Sequence, residues 1–253
     1  MIPLRGASTR HCANDTAIGW RVAERACAQA VTTLGDRVVS VYAIGSLAHG
    51  GFALAVSDVD VAVLVDRCDQ GMPDIVGTIV ESTRSELGHG LADRLSIFYG
   101  DWTSFSSPPP SARLGAIDRL DLMDNGVLMM GADRRRSDGA RPTREALVAE
   151  TAGFLPYWLT QRRGVDDLID AGPRVLTKNV LFPVRFLYTH ATGRAGSNDD
   201  AVNWYRESGG PHAALAIAAL RWRTGEIDPD AARILLKDHL DGLYADCCDV
   251  YLR

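Results

Sequence analysis

Residues 41–66 read VYAIGSLAHGGFALAVSDVDVAVLVD, and the fold turns on this stretch. Val38 to Ile44 is an apolar run of strand length, Gly45-Ser46 a turn, and the segment that follows is small and glycine-rich. Ser57 then leads into a second apolar strand carrying Asp58 and Asp60. Side chains along a strand alternate between faces, so Asp58 and Asp60 point one way and Val59 the other. Two carboxylates on one face at the start of a buried strand repel each other, which is costly unless a cation sits between them. Hard divalent ions such as Mg²⁺ take oxygen ligands and bind through one or two carboxylates plus substrate phosphates. The Gly-Ser turn offers what phosphate needs: a close-approaching backbone, N–H groups and a hydroxyl. A surface hairpin with two solvated aspartates is the plainer alternative. The Val-rich flanks argue against it, because they read as buried strands.

Outward from this core the chain has two textures. Asn14 or Asp15 caps a helix running to about Leu34, and the residues before it read as loose. After the strand pair, Asp74 to about Leu87 has helical spacing with Ile75, Ile79, Val80 and Leu87 inward. Arg94 to Tyr99 reads as a third strand, Ser111 to Met123 as a helix, and Val127 to Met130 as a short strand. The Ser/Pro-rich loop 101–110 holds Trp102 and Phe105, which either form a substrate-facing rim or fold back on the core. The charged, Gly/Pro-punctuated stretch Ala132 to Pro142 reads as a linker, and its Arg134-Arg135-Arg136 run as solvated. Everything beyond is helical pattern: Thr143 to Gln161, Val165 to Ile169, Leu176 to Thr192 with Pro183 inside, Asn198 to Glu207, Pro211 to Thr224 and Asp228 to Leu252. The expected class is α+β: an α/β domain with a mixed sheet over residues 1–139, then an all-helical bundle over 140–253.

Composition narrows the partners. The 253 residues carry a net charge of −5, which argues against a nucleic-acid polymer as ligand, since such binders present a basic face. Five cysteines, Cys12, Cys27, Cys68, Cys247 and Cys248, show neither zinc nor disulfide spacing, which points to a reducing, cytoplasmic setting. No apolar signal region opens the chain. The uncharged run Val38–Ser57 is interrupted at its centre by Gly45, Ser46, His49, Gly50 and Gly51, so no membrane span is expected.

Gly45-Ser46, an eleven-residue spacer and Asp58-Val59-Asp60 in an apolar strand together resemble the signature of the polymerase-β-like nucleotidyltransferase superfamily. The two-domain plan, and the stretch NVLFPVRFLYTHATGRAGSNDDAVNW at 179–204, resemble the aminoglycoside adenylyltransferases of the streptomycin and spectinomycin type. The resemblance implies a transfer of AMP from ATP to a hydroxyl of a small-molecule acceptor, with release of pyrophosphate. It implies two Mg²⁺ ions held by Asp58 and Asp60, a nucleoside triphosphate contacted by Gly45, Ser46 and Ser57, and a phosphate-binding arginine at Arg185. A third carboxylate, which completes the site and serves as base, opens the third strand in the family. Here an ungapped match falls on Arg94, the nearest acid is Asp93, and Asp101 lies at the strand's far end. Asp93 reads equally as an ordinary turn aspartate. The family's phosphate-binding lysine corresponds to Asn198, with Lys178 as a possible substitute, and the drug-contacting region departs around Gly172, Pro173 and Arg174. Asp166, Asp167 and Asp170 are either a negative rim for a cationic acceptor or a solvated helix face. His49 reads as a phosphate or base contact, or as a structural histidine. Two other functions stay open: a protein-modifying adenylyltransferase of antitoxin type, and a degenerate, non-catalytic nucleotide-binding protein.

Overall fold

A computed structural model describes residues 8–161 and 163–252, with side chains from residue 14 onward. The chain divides into two units, Met1–Pro142 and Thr143–Arg253. In the first, helix α1 (Ser8–Leu34) leads into strand β1 (Val38–Ile44), and the short helical turn α2 (Gly45–Ala48) follows directly. Strand β2 (Val59–Val65), helix α3 (Met72–Leu87), strand β3 (Leu95–Asp101), helix α4 (Ala116–Asn125) and strand β4 (Val127–Gly131) complete the unit. The sheet order is β3-β2-β1-β4. β1 pairs antiparallel with β2 and β4, while β2 and β3 run parallel, with α3 as the crossover. The sheet is therefore mixed, and the class is α+β as the sequence reading has it.

Strand alternation sorts the core into two layers. Val41, Val59, Val61, Val63 and Ile97 face α1 and α3, whose Ala23, Ala26, Ala30, Met72 and Ile79 are fully buried. Tyr42, Ile44, Ala62 and Leu64 face the other way, into a cluster with Trp102, Phe105, Leu114 and Leu122. Asp60 keeps phase with Ala62 and Leu64, so period two puts it on this second face. The face matters because α4 and the 101–115 loop cover it.

Several boundaries and orientations differ from the sequence reading. α1 begins at Ser8, well before Asn14, and residues 1–7 lie outside the described residues. α3 starts at Met72 and turns Met72, Val76, Ile79 and Thr83 inward, leaving Leu87 43% exposed in the last turn. Of the two readings of Trp102 and Phe105, the fold back onto the core holds and the substrate-facing rim does not. Both are buried, their rings stack at 4.8 Å, and the Trp102 indole N–H donates to Ser40 Oγ at 3.1 Å. A sheet layer that one ten-residue helix cannot cover recruits the loop's aromatics instead. The linker is also tied down. Arg135 pairs with Asp133 at 2.6 Å, donates to the Gly126 carbonyl at 2.7 Å and lies 5.3 Å over the Tyr42 ring.

The second unit comprises α5 (Arg144–Thr160), α6 (Val165–Asp170), α7 (Pro173–Thr192), α8 (Asn198–Glu207), α9 (Ala213–Trp222) and α10 (Pro229–Tyr251). Thr143, Ser197 and Asp228 cap α5, α8 and α10 with their side-chain oxygens. α7 is the central element: Leu176, Val180, Val184 and Leu187 recur at helical spacing and are buried against α8, α9 and α10. The Tyr244 hydroxyl reaches the Asn179 carbonyl at 3.2 Å, locking α10 to α7. Among the described residues, no helix is long and apolar enough to cross a membrane. Cys27, Cys68, Cys247 and Cys248 are free thiols. Burial pushes Cys247 up to about 12, so it is an inert core thiol.

Candidate functional site

The end of β1 and the start of β2 bring the signature together. Their antiparallel register sets Ile44 opposite Asp60, so the Gly45 turn leaves β1 directly beside the second aspartate. Gly45 has φ +65, and a Cβ built on it would lie 2.5 Å from Asp60 Oδ2. Glycine is required here twice, by the left-handed backbone and by the carboxylate packed against it. Ser46 follows within α2, half-buried. Ser57 is buried and accepts the Ala53 N–H on its Oγ at 3.0 Å, closing the loop that delivers Asp58 to the head of β2. Asp58 and Asp60 are both half-buried. The structure thus gathers Gly45, Ser46, Ser57, Asp58 and Asp60 at one end of the sheet.

Behind the turn stands a group that sequence reasoning missed. Asp121, on α4 and 6% exposed, accepts the Gly45 N–H on Oδ2 at 2.7 Å. Its Oδ1 lies 2.5 Å from His49 Nε2, and Asn125, one helical turn on, donates to the same oxygen at 3.0 Å. The His49 side chain is only 5% exposed, so of its two sequence-level readings the structural one describes its position. The available signal was an acid embedded in the apolar run Leu120–Met123, since a buried carboxylate needs partners.

The third-carboxylate candidates are placed differently. Asp93 sits in a 3₁₀ turn (Leu91–Arg94) ahead of β3. Its Oδ2 accepts the Gly90 N–H at 2.9 Å, and its Oδ1 lies 3.4 Å from His89 Nδ1 and 3.7 Å from Arg84 Nε. The Gly90 N–H, then His89 and Arg84, hold this carboxyl below the usual carboxylate range. The parallel register puts Ser96, not an acid, beside Asp60. Asp101 pairs in register with Val65, five residues past Ser96 along β3, roughly 16 Å from the signature. There it accepts Cys68 N–H at 3.1 Å and Ser104 N–H at 2.7 Å. Asp101 is a loop anchor, and its reading as a third carboxylate is withdrawn.

In the second unit Arg185 lies on α7, half-buried, within electrostatic reach of Arg223. Arg223 is buried just past α9. Burial lowers its pKa, Asp199 raises it and Arg185 lowers it further. The sequence reading had named only Arg185 of this pair. Lys178 Nζ stands 6.0 Å over the Phe182 ring. Asp166 is paired with Arg233 at 2.8 Å, as a helix-face acid.

As a metal site, the donor set is partial. Asp60 offers a hard oxygen beside a turn that admits no side chain, and Asp58 stands one residue ahead of β2, donor chemistry that suits Mg²⁺ shared with a phosphate ligand. Among the described residues, no group of three or more His, Cys, Asp or Glu is arranged to hold an ion by itself.

A mixed four-stranded sheet with Gly-Ser and Asp-x-Asp at the ends of its two central strands, followed by a helical domain, is a nucleotidyltransferase-like fold. Within that class, the chain is similar to the crystal structure of spectinomycin adenyltransferase AAD(9) from Enterococcus faecialis with ATP and spectinomycin. The TM-score is 0.62 at 16% identity, over 90% of this chain and 98% of that one. No protein-family model matches the sequence, and no curated protein matches it.

Proposed function

We propose that this protein is a Mg²⁺-dependent nucleotidyltransferase that moves AMP from ATP to a hydroxyl of a small molecule and releases pyrophosphate. The observation that carries the reading is the packing of the Gly45 turn against Asp60, with Asp58 two residues before it, in a fold shared with an adenylyltransferase. Asp58 and Asp60 would hold Mg²⁺, which when bound neutralises charge on the triphosphate. Gly45, Ser46 and Ser57 would bind phosphate oxygens, and Arg185 has a phosphate-binding role. Attack by the acceptor oxygen on the α-phosphorus forms one P–O bond and breaks the bond to pyrophosphate, while the hydroxyl proton passes to a base. Asp93 is the base candidate, and its carboxylate must leave Gly90, His89 and Arg84 to serve. Acceptors of the aminoglycoside and aminocyclitol type head the panel, although the departures at Asn198 and Gly172–Arg174 favour a different pocket.

The test is calorimetric titration of ATP with Mg²⁺, with Asp60→Asn alongside, then pyrophosphate release across acceptors. Metal-dependent binding that Asp60→Asn abolishes supports the site. A wild type that binds no nucleoside triphosphate sinks it. A second reading, a non-catalytic nucleotide-binding protein, draws support from Ser96 standing beside Asp60 where an acid would complete the triad. Metal-dependent ATP binding without turnover on any acceptor, including lysate protein, favours that reading.

A further inference from the structure

A buried carboxylate holds the Gly45 turn at both of its ends. Asp121 Oδ2 takes the N–H of Gly45 at the start of the turn, and Oδ1 meets His49 Nε2 at its end. The four residues of α2 lie between these two contacts. Asn125 donates to Oδ1 from the next turn of α4, fixing the carboxylate's rotation. Asp121 is 6% exposed and the His49 side chain 5%, so the group is shielded from solvent. Burial of a carboxylate and a histidine away from water is costly, and three contacts on one carboxylate offset that cost. On the far side of the same residue, Gly45, stands Asp60 Oδ2.

From this arrangement we infer that Asp121 and His49 are positioning residues: together they set the Gly45–Ser46 turn at its distance from Asp60. Neither touches the reacting atoms. Their part is to keep the turn from relaxing when a charged ligand is drawn to its front. Relaxation by about 1 Å is enough to cost two orders of magnitude in a positioned reaction. The geometric inference stands alone. Its consequence for ATP rests on the nucleotidyl-transfer reading above.

The experiment compares wild type with His49→Ala, His49→Gln and Asp121→Asn by two readouts. Amide hydrogen exchange of the ligand-free protein reports on the turn itself. Exchange at 45–49 is expected to speed up about tenfold in His49→Ala and Asp121→Asn while β2 and β3 keep their protection, as befits loss of a buried charge-assisted hydrogen bond. His49→Gln, which keeps a donor at similar reach, is expected to recover most of the protection. The second readout is Mg²⁺–ATP affinity and the KM for ATP, expected to weaken about tenfold in the same two variants with the acceptor KM unmoved. Unchanged exchange at 45–49 in folded His49→Ala and Asp121→Asn overturns the positioning role, whatever nucleotide does. Faster exchange with wild-type ATP affinity overturns its bearing on the site. A wild type that binds no nucleotide instead overturns the nucleotidyl-transfer reading, and exchange then decides the positioning role by itself.

Discussion

Gly45→Ala is the sharpest perturbation of the signature, because two separable costs meet at one atom. The backbone sits at φ +65, where an L side chain costs roughly 1–2 kcal/mol. The new Cβ also lands 2.5 Å from Asp60 Oδ2, against an ordinary contact beginning at 3.4 Å, so the carboxylate must withdraw by nearly 1 Å. Gly50→Ala isolates the first cost. It too has positive φ, at +77, but nothing lies within 4 Å of its added Cβ. Gly50→Ala is expected to lose about 1–2 kcal/mol in urea unfolding of the first unit, and Gly45→Ala more than that, because the clash with Asp60 adds to the backbone cost. Only Gly45→Ala is expected to lose Mg²⁺-dependent nucleotide binding and pyrophosphate release, on the order of 100-fold, because it displaces Asp60, the proposed metal ligand. Equal nucleotide affinities in the two folded variants would refute the argument that Gly45 exists to admit Asp60.

Three further expectations follow from the same structure. Trp102→Ala removes a buried ring stacked on Phe105 and hydrogen-bonded to Ser40, so chemical denaturation should show a loss of about 3–5 kcal/mol; a loss below 1 kcal/mol would restore the exposed-rim reading. Asp133 is held well below the usual carboxylate range, first by its hydrogen bonds with Arg135 and also by the Tyr42 hydroxyl. A depressed folded pKa contributes stability that is fully present above the unfolded value near 4 and fades as pH falls below it. The group is 40% exposed, so the contribution is screened to less than about 1 kcal/mol. Urea midpoints of wild type and Asp133→Asn should differ at pH 7 and converge toward pH 2. Arg185→Ala should weaken ATP binding at least tenfold in calorimetry, as expected of a charged phosphate contact; wild-type affinity would return Arg185 to a structural pairing role.

Much of the fold was legible because it rests on local rules. Continuous apolar runs at 38–44 and 59–65 gave the paired strands, and helix caps at Thr143 and Asp228 marked the starts of α5 and α10. Where reading failed, the cause was tertiary. Nothing in the composition of 101–110 says that its two aromatics must cover a sheet face, since the demand comes from a layer formed by strands far away in sequence. Leu87 kept the helical phase of an inward residue yet ends 43% exposed in the last turn of α3, where the buried face is carried by Met72, Val76, Ile79 and Thr83.

The site divides in the same way. Residues held by chain continuity, from the Gly45-Ser46 turn to Asp60, could be gathered from spacing, since one hairpin brings them together. Residues held by packing could not. Asp121 lies 76 positions from Gly45 and reaches it only because α4 covers the sheet face that Asp60 shares. The missing acid on β3 has a related cause. A parallel neighbour is read through its register, and the register here sets Ser96 beside Asp60 while Asp93 falls in the turn before the strand. If Asp93 is the base, ligand binding must rearrange 89–94, so exchange protection of that turn should change when Mg²⁺ and ATP are added together. A turn whose protection stays constant through turnover would assign the acceptor's proton to another group.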